Sequence, residues 1–111
     1  MERPPEPFEV EESSRDGVTV LTLHGELDLA YADDLWARLA DLRDRGEPVL
    51  LDLDQLEFID SSGLRVLLQA TQASEEGEWR FHVTQGSAAV ARLLRGAGLE
   101  GRLPTVEGPV E

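Results

Sequence analysis

The chain has 111 residues, 41% of them hydrophobic, which is enough to bury the core of one domain of ordinary size. Its 23 acids and ten arginines, with no lysine, give a formal net charge of −13, which disfavours nucleic acid and anionic membranes and favours a partner with a basic patch. The absence of cysteine and lysine excludes disulfides, thiol and Schiff-base catalysis, and a P-loop.

We expect a single domain over residues 1–111, with a core from about residue 8 to about residue 106 and loose tails at 1–7 and 107–111. The amino terminus does not open as a signal peptide does, and no apolar run is long enough to cross a bilayer. The sequence therefore predicts a cytoplasmic protein.

The chain opens with a predicted hairpin. A first strand is predicted over residues 8–13 and a second, rich in β-branched and apolar residues, over residues 18–24. The Asp16-Gly17 pair between them is a strong signal for a tight turn. Residues 25–28 are expected to end the second strand.

A helix is predicted over residues 30–45, because leucines recur there at helical spacing. The short apolar run 49–53 predicts a buried strand. Further along the chain the pattern predicts a helix at 62–73, a strand at 79–84 and a third helix at 87–95.

Residues 103–106 predict an edge strand, where a proline is tolerated. The elements up to that point follow the order β-β-α-β-α-β-α with short connections. Repeated βα units predict parallel pairing through right-handed crossovers, and the opening hairpin makes the sheet mixed.

The segment Asp60-Ser61-Ser62-Gly63 is the most informative part of the sequence. It follows an apolar run and precedes a helix, so two hydroxyl groups lie at the helix start, where free N–H groups and the positive end of the dipole can hold an added phosphate. The same residue types also cap helices for purely structural reasons, and the local pattern does not choose between the two roles.

Asp28 ends one predicted strand, and Asp60 ends the apolar stretch after another. If the two strands are neighbours, the Asp28 carboxylate lies near the serines and can orient a hydroxyl group by hydrogen bonding. Asp28 also fits the N-cap position of the helix predicted from residue 30. Both roles remain open.

Hydrolase and metal chemistry find little support in the sequence. The serines lack the Gly-x-Ser-x-Gly pattern of α/β hydrolases, and His24 and His82 are expected to be structural or surface residues. The clusters of acids do not follow a calcium-loop pattern. We therefore expect a binding protein with no metal site and no catalytic residue.

Four stretches of the chain together match a known family in order and spacing. They are Leu23-His24-Gly25-Glu26-Leu27-Asp28, Val49-Leu50-Leu51-Asp52-Leu53, Phe58-Ile59-Asp60-Ser61-Ser62-Gly63-Leu64, and Val90-Ala91-Arg92-Leu93-Leu94 with Gly98-Leu99. With these, the chain resembles the STAS domain of small bacterial anti-anti-sigma factors, also called anti-sigma factor antagonists.

The resemblance implies an α/β fold, a mixed and mostly parallel sheet of roughly four to five strands with helices mainly on one face. It also implies that Ser62 accepts a phosphate in surroundings formed by Asp28, Asp60, Ser61, Gly63 and Arg65. The unmodified protein would bind an anti-sigma factor with GHKL-type serine kinase activity and so free a sigma factor. Phosphorylation would end that complex, a metal-dependent serine phosphatase would reset it, and no cofactor is implied.

Arg65 departs from the family, which often has glycine after the leucine of the motif. Its guanidinium group can pair with a phosphate. Two other roles remain open for a STAS domain: a scaffold subunit of a larger stress-signalling or lipid-transport assembly, and a binder of a small ligand or nucleotide. A signalling switch needs the Ser62 hydroxyl group, whereas a scaffold needs only the shape of the domain.

Overall fold

The computed structural model describes residues 7–107, so that residues 1–6 and 108–111 of the predicted tails lie outside the described part. The strands there are β1 (Phe8–Arg15), β2 (Val18–Leu27), β3 (Val49–Asp52), β4 (Leu56–Ile59), β5 (Phe81–Thr84) and β6 (Thr105–Val106). The helices are α1 (Leu29–Asp44), α2 (Ser61–Gly77) and α3 (Ala88–Gly96).

The strands form one sheet in the order β1-β2-β3-β5-β6, and β4 pairs with β2 beyond the end of β3. Among the described strands only β1 and β2 pair antiparallel, so the sheet is mixed and mostly parallel, as predicted. It has six strands rather than the predicted four to five, because the sequence pattern does not reveal β4. In β4 the two end residues are buried and the two middle ones exposed, which gives no alternation to detect.

The predicted opening hairpin is confirmed. Asp16 and Gly17 have φ values of 52° and 82°, and they join β1 and β2 through a two-residue turn in which Arg15 pairs with Val18. Positive φ at both central residues matches the right-handed twist of the strands, which is why an Asp-Gly pair favours this turn.

The second strand does end within residues 25–28, but it runs three residues past the predicted end at residue 24, because β2 continues to Leu27. Its pairing with β3 ends at Thr22, and from Gly25 onward it pairs with β4, with a register shift between Gly25 and Glu26. Gly25 has a φ of +89°, and a Cβ atom there would overlap the carbonyl oxygen of Pro7. The same oxygen accepts a hydrogen bond from Glu26 N at 2.8 Å, so glycine permits the irregularity that extends the strand.

Helices α1 and α2 contact each other and cover one face of the sheet. On β2 this face carries the fully buried Leu21 and Leu23, whereas Thr22 and His24 on the other face are partly exposed. Helix α3 contacts β4, and the hydroxyl group of its N-cap Ser87 donates to the carbonyl oxygen of Leu56 at 2.7 Å. None of the helices within residues 7–107 combines the length and apolar content needed to cross a bilayer.

The first turn of α2 packs directly onto the ends of β2 and β4. A Cβ atom on Gly63 would lie 2.6 Å from Ile59 Cγ1 and 2.9 Å from Leu27 Cγ, which is too close for two carbon atoms. Only glycine therefore allows α2 to begin at this distance from the sheet. The helix runs to Gly77, four residues further than predicted, and ends at Glu78 with a φ of 57°.

We expect Gly63→Ala to lower the free energy of unfolding by about 1–3 kcal/mol, because the added methyl group must displace Leu27 and Ile59. Gly77→Ala is the matched control, since it lies in the same helix and a methyl group added there would have no neighbouring atom within 4 Å. It should leave stability unchanged or raise it by up to about 1 kcal/mol. Urea unfolding of both variants provides the measurement, and equal stability of the two would contradict the packing role of Gly63.

Candidate functional site

Two strand ends meet at one point on the edge of the sheet. Leu27 of β2 pairs with Ile59 of β4, and Asp60 N donates to the carbonyl oxygen of Leu27 at 3.1 Å. Asp28 and Asp60, the next residues along each chain segment, therefore lie at neighbouring strand ends. The sequence analysis expects Asp28 near the serines if the strands that precede Asp28 and Asp60 are neighbours. The pairing of β2 with β4 shows that they are.

Asp60 is the N-cap of α2. Its Oδ1 atom accepts hydrogen bonds from Ser62 N at 2.9 Å and Gly63 N at 3.1 Å. The carboxylate also complements the positive end of the helix dipole. Two of the amide groups that the sequence offers for holding a phosphate are therefore already occupied by a carboxylate.

Asp28 caps α1 in the same way, with its Oδ1 atom accepting a hydrogen bond from Ala30 N at 3.0 Å. Within residues 7–107, no hydrogen bond joins its carboxylate to Ser61 or Ser62. Of the two roles that the sequence leaves open for Asp28, the structure shows the capping role.

The two serines occupy the first two positions of α2. Ser61 is exposed and Ser62 is half-buried, and neither hydroxyl group has a hydrogen-bond partner in the described part of the chain. Each oxygen is therefore free to react with an incoming group. Since neither hydroxyl group is hydrogen-bonded to a base among the described residues, an acceptor role fits this geometry better than that of an activated nucleophile.

Arg65 lies on the exposed side of the same helix, three residues after Ser62. Its guanidinium group makes no ion pair with any residue in the range 7–107. Residues three apart are neighbours on a helix surface, so this cation lies within reach of the Ser62 position.

The charge around the strand ends is otherwise negative. Between Arg15 and Arg38, and again between Arg45 and Arg65, every aspartate, glutamate, lysine or arginine of the sequence is an acid. The acids at the meeting point itself are Glu26, Asp28, Glu57 and Asp60, of which the glutamates are exposed. This edge of the molecule therefore carries a local negative potential.

The structure does not support the hydrolase hypothesis, because the described residues show no hydrogen-bonded pair of serine and histidine. His24 Nε2 lies 3.0 Å from Glu11 Oε1, in a pair on the sheet, and His82 is an exposed residue of β5. Within the described residues, neither histidine is hydrogen-bonded to Ser62. The same part of the chain contains no group of three or more His, Asp or Glu side chains arranged to hold a metal ion.

Sequence reasoning missed two apolar residues at this edge. Leu29 is 74% exposed and Phe58 is 42% exposed. Leu29 lies outside the stripe formed by the buried leucines of α1, which is a signal that the sequence does carry. Its position beside the serines depends on strand pairing and is not visible in the sequence.

Comparison with known proteins identifies relatives along nearly the whole chain. The family model described as "Mlab, STAS domain" matches residues 10–106. The anti-sigma F factor antagonist of Paenibacillus polymyxa is 30% identical over 105 residues, covering 93% of this chain and 90% of that protein. The putative anti-sigma factor antagonist BtrV of Bordetella bronchiseptica is 46% identical over 54 residues, 48% of this chain, so that the match spans about half (47%) of BtrV.

Solved structures show the same fold. An anti-sigma factor antagonist from Mycobacterium paratuberculosis matches with a TM-score of 0.78 and 26% identity, covering 95% of this chain and 90% of that chain. The anti-sigma factor antagonist SpoIIAA in its unphosphorylated form matches with a TM-score of 0.72 and 22% identity, covering 92% of this chain and 88% of that chain. At the latter identity the likeness concerns the fold.

We expect Asp60→Ala to lower the free energy of unfolding by about 1 kcal/mol, because it leaves Ser62 N and Gly63 N without their acceptor. Asp60→Asn should lose less, since its side-chain oxygen can still accept both bonds and the change relieves some negative charge. Thermal unfolding of the two variants beside the parent distinguishes them. A loss as large for Asn as for Ala would mean that the charge, rather than the cap, stabilises this turn.

Proposed function

The chain belongs to the STAS domain family, and we propose that it is an anti-sigma factor antagonist that phosphorylation of Ser62 switches off. The observation that carries this function is the Ser62 hydroxyl group, which has no partner among the described residues and lies at the start of α2, directly after the paired ends of β2 and β4. The names of the relatives from Paenibacillus polymyxa and Mycobacterium paratuberculosis support the antagonist role.

In this function the unmodified protein binds an anti-sigma factor that is also a GHKL-type serine kinase, and a sigma factor is released. The kinase then transfers a phosphoryl group from ATP to Ser62, and the complex dissociates. A metal-dependent serine phosphatase removes the phosphate and restores binding. The chain itself serves as binding partner and phosphate acceptor, and the catalytic groups belong to the other two proteins.

Ser62 is a better candidate acceptor than Ser61 because of its place in the motif, not because of exposure. Ser61 is the more exposed of the two, so accessibility alone would favour it. Ser62 occupies the position that the family resemblance implies, and its own N–H group is held by Asp60 at 2.9 Å. This hydrogen bond fixes the backbone from which the Ser62 hydroxyl group projects.

Phosphorylation adds about −1.5 to −2 charges at neutral pH. The amides of Ser62 and Gly63 already donate to Asp60, so a phosphate at Ser62 meets a carboxylate where a free helix terminus would offer donors. Arg65 can pair with it from one turn away. We therefore expect the phosphate to stay at the surface and leave the fold unchanged.

A surface phosphate is sufficient to release a partner. When a partner buries the phosphate in the interface without supplying hydrogen-bond donors, the loss of hydration costs several kcal/mol of binding free energy. Each 1.4 kcal/mol changes affinity about tenfold, so a penalty of about 3 kcal/mol weakens binding about a hundredfold.

The function is tested by using the unmodified protein to recover partners from its native cell extract. We expect mass spectrometry to identify an anti-sigma factor of the GHKL kinase class. When that protein is purified and incubated with the chain and ATP, the phosphate should map to Ser62. Phosphate on Ser61 with Ser62 unmodified would overturn the site assignment, and failure to bind any such kinase would overturn the function.

Variants of Ser62 separate a switch from a scaffold. Ser62→Ala should bind the kinase like the parent and remain bound in the presence of ATP, because it cannot accept a phosphate. Ser62→Asp should bind at least tenfold more weakly, since it places a charge at the contact. Ser61→Ala is the matched control and should still be switched off by ATP.

Calorimetry or surface binding measurements give these affinities directly. Equal affinity of Ser62→Ala and Ser62→Asp would contradict switching by charge. That result would favour the alternative role of a scaffold subunit in a larger stress-signalling or lipid-transport assembly, which depends only on the shape of the domain.

A further inference from the structure

The edge of the sheet where β2 and β4 end carries exposed apolar side chains. The large apolar side chains that residues 7–107 leave exposed are Leu29, Phe58, Leu68 and Val106. Leu29 and Phe58 both lie within two residues of a capping aspartate at the paired strand ends. These two exposed apolar residues thus lie near the same paired strand ends on a strongly acidic protein, which makes this edge a candidate interaction surface.

Leu29 lies beside the serines because α1 and α2 begin in the same way. Strands β2 and β4 are paired up to the residue before each cap, and Asp28 and Asp60 then cap the two helices. Leu29 and Ser61 are consequently the first residues of neighbouring helices. Adjacent strands lie about 4.8 Å apart, so the two helix starts are within side-chain reach of each other.

Phe58 lies in β4, three residues before Ser61. Ile59, which follows it, is 2% exposed and lies beneath Gly63 on the face that the helices cover. Phe58 pairs with the exposed Glu26 and Ile59 with the buried Leu27, so Phe58 lies on the open face, where it is 42% exposed. The paired ends of β2 and β4, where α2 begins with the serines, therefore carry one exposed apolar residue on the helix side and one on the open face of the sheet.

Acids surround this pair of apolar residues. Glu26, paired with Phe58 across the strands, and Glu57 are exposed, and the two capping aspartates complete the border. We propose that Leu29 and Phe58 are the anchors by which this protein holds its partner, and that the partner presents an apolar recess bordered by basic side chains. This inference rests on the proposed function, since it takes the anti-sigma factor to be that partner.

The two kinds of group contribute differently to binding. Acids at the border attract a basic surface from a distance and raise the association rate, an effect that salt screens. Apolar anchors seated in a recess slow dissociation, and salt does not screen them. Loss of an anchor should therefore weaken binding at low and high salt alike.

The test measures affinity for the purified anti-sigma factor kinase that the pull-down identifies. Leu29→Ser should weaken binding about tenfold or more, in the range typical of anchor residues. Val106→Ser is the matched control, because Val106 is also exposed (37%) but lies on β6 at the far side of the sheet. It should change affinity less than about twofold, since residues outside an interface contribute little.

Phe58→Ser provides a second anchor variant with the same expected loss of affinity. Thermal unfolding shows whether each variant is folded, and the high exposure of Leu29 means that Leu29→Ser should unfold at the parent temperature. The decisive comparison is therefore between Leu29→Ser and Val106→Ser, at low and at high salt.

Equal affinities for Leu29→Ser, Val106→Ser and the parent would overturn the anchor assignment and leave the proposed function intact. A parent chain that binds no anti-sigma factor would overturn the proposed function and this inference with it. If sedimentation shows the chain alone to be a dimer that Leu29→Ser dissociates, the occupant of the edge is a second copy, and the inference is wrong.

Discussion

The packing of the first turn of α2 onto Leu27 and Ile59 is the contact on which the rest of the structure depends. This packing requires glycine at position 63. It also requires β2 to extend to Leu27, where β2 pairs with β4, and the irregularity at Gly25 allows this extension. Together these set the start of α2 directly at the strand ends. Because Gly63 is buried against these strand ends, the two serines that precede it lie at the surface of the domain.

Features with a short-range cause could be predicted from the sequence. The Asp16-Gly17 turn follows from the backbone twist of a hairpin, and the Asp60 cap follows from the amides that every helix start leaves open. The extension of β2 past Gly25 could not be predicted, because its cause is the carbonyl oxygen of Pro7, eighteen residues earlier in the chain. Likewise β4 exists through pairing with β2, and its four residues carry no period of their own.

In the candidate site, too, the features with a local cause could be predicted from the sequence, and those that depend on strand pairing could not. The residue types at positions 60–63 could be predicted to form a capped helix start with available hydroxyl groups, because capping is local. The exposure of Leu29 agrees with its position outside the buried leucine stripe of α1, but its location near the serines could not be predicted. Its place beside the serines results from the parallel pairing of β2 with β4, which brings two similar helix starts together.

The acidic edge and the proposed phosphate act on a partner in opposite directions, although both are negative. The exposed glutamates lie at the border, where solvent remains and where attraction to a basic surface acts over a distance. Ser62 lies at the strand ends that also carry Leu29 and Phe58, and a partner that used both of them as anchors would exclude water there. A phosphate on Ser62 would need hydrogen-bond donors, but the backbone amides of Ser62 and Gly63 already donate to Asp60. Under the proposed function, position rather than sign would therefore decide the effect of a charge: a charge at the border would aid association, and a charge among the anchors would oppose binding.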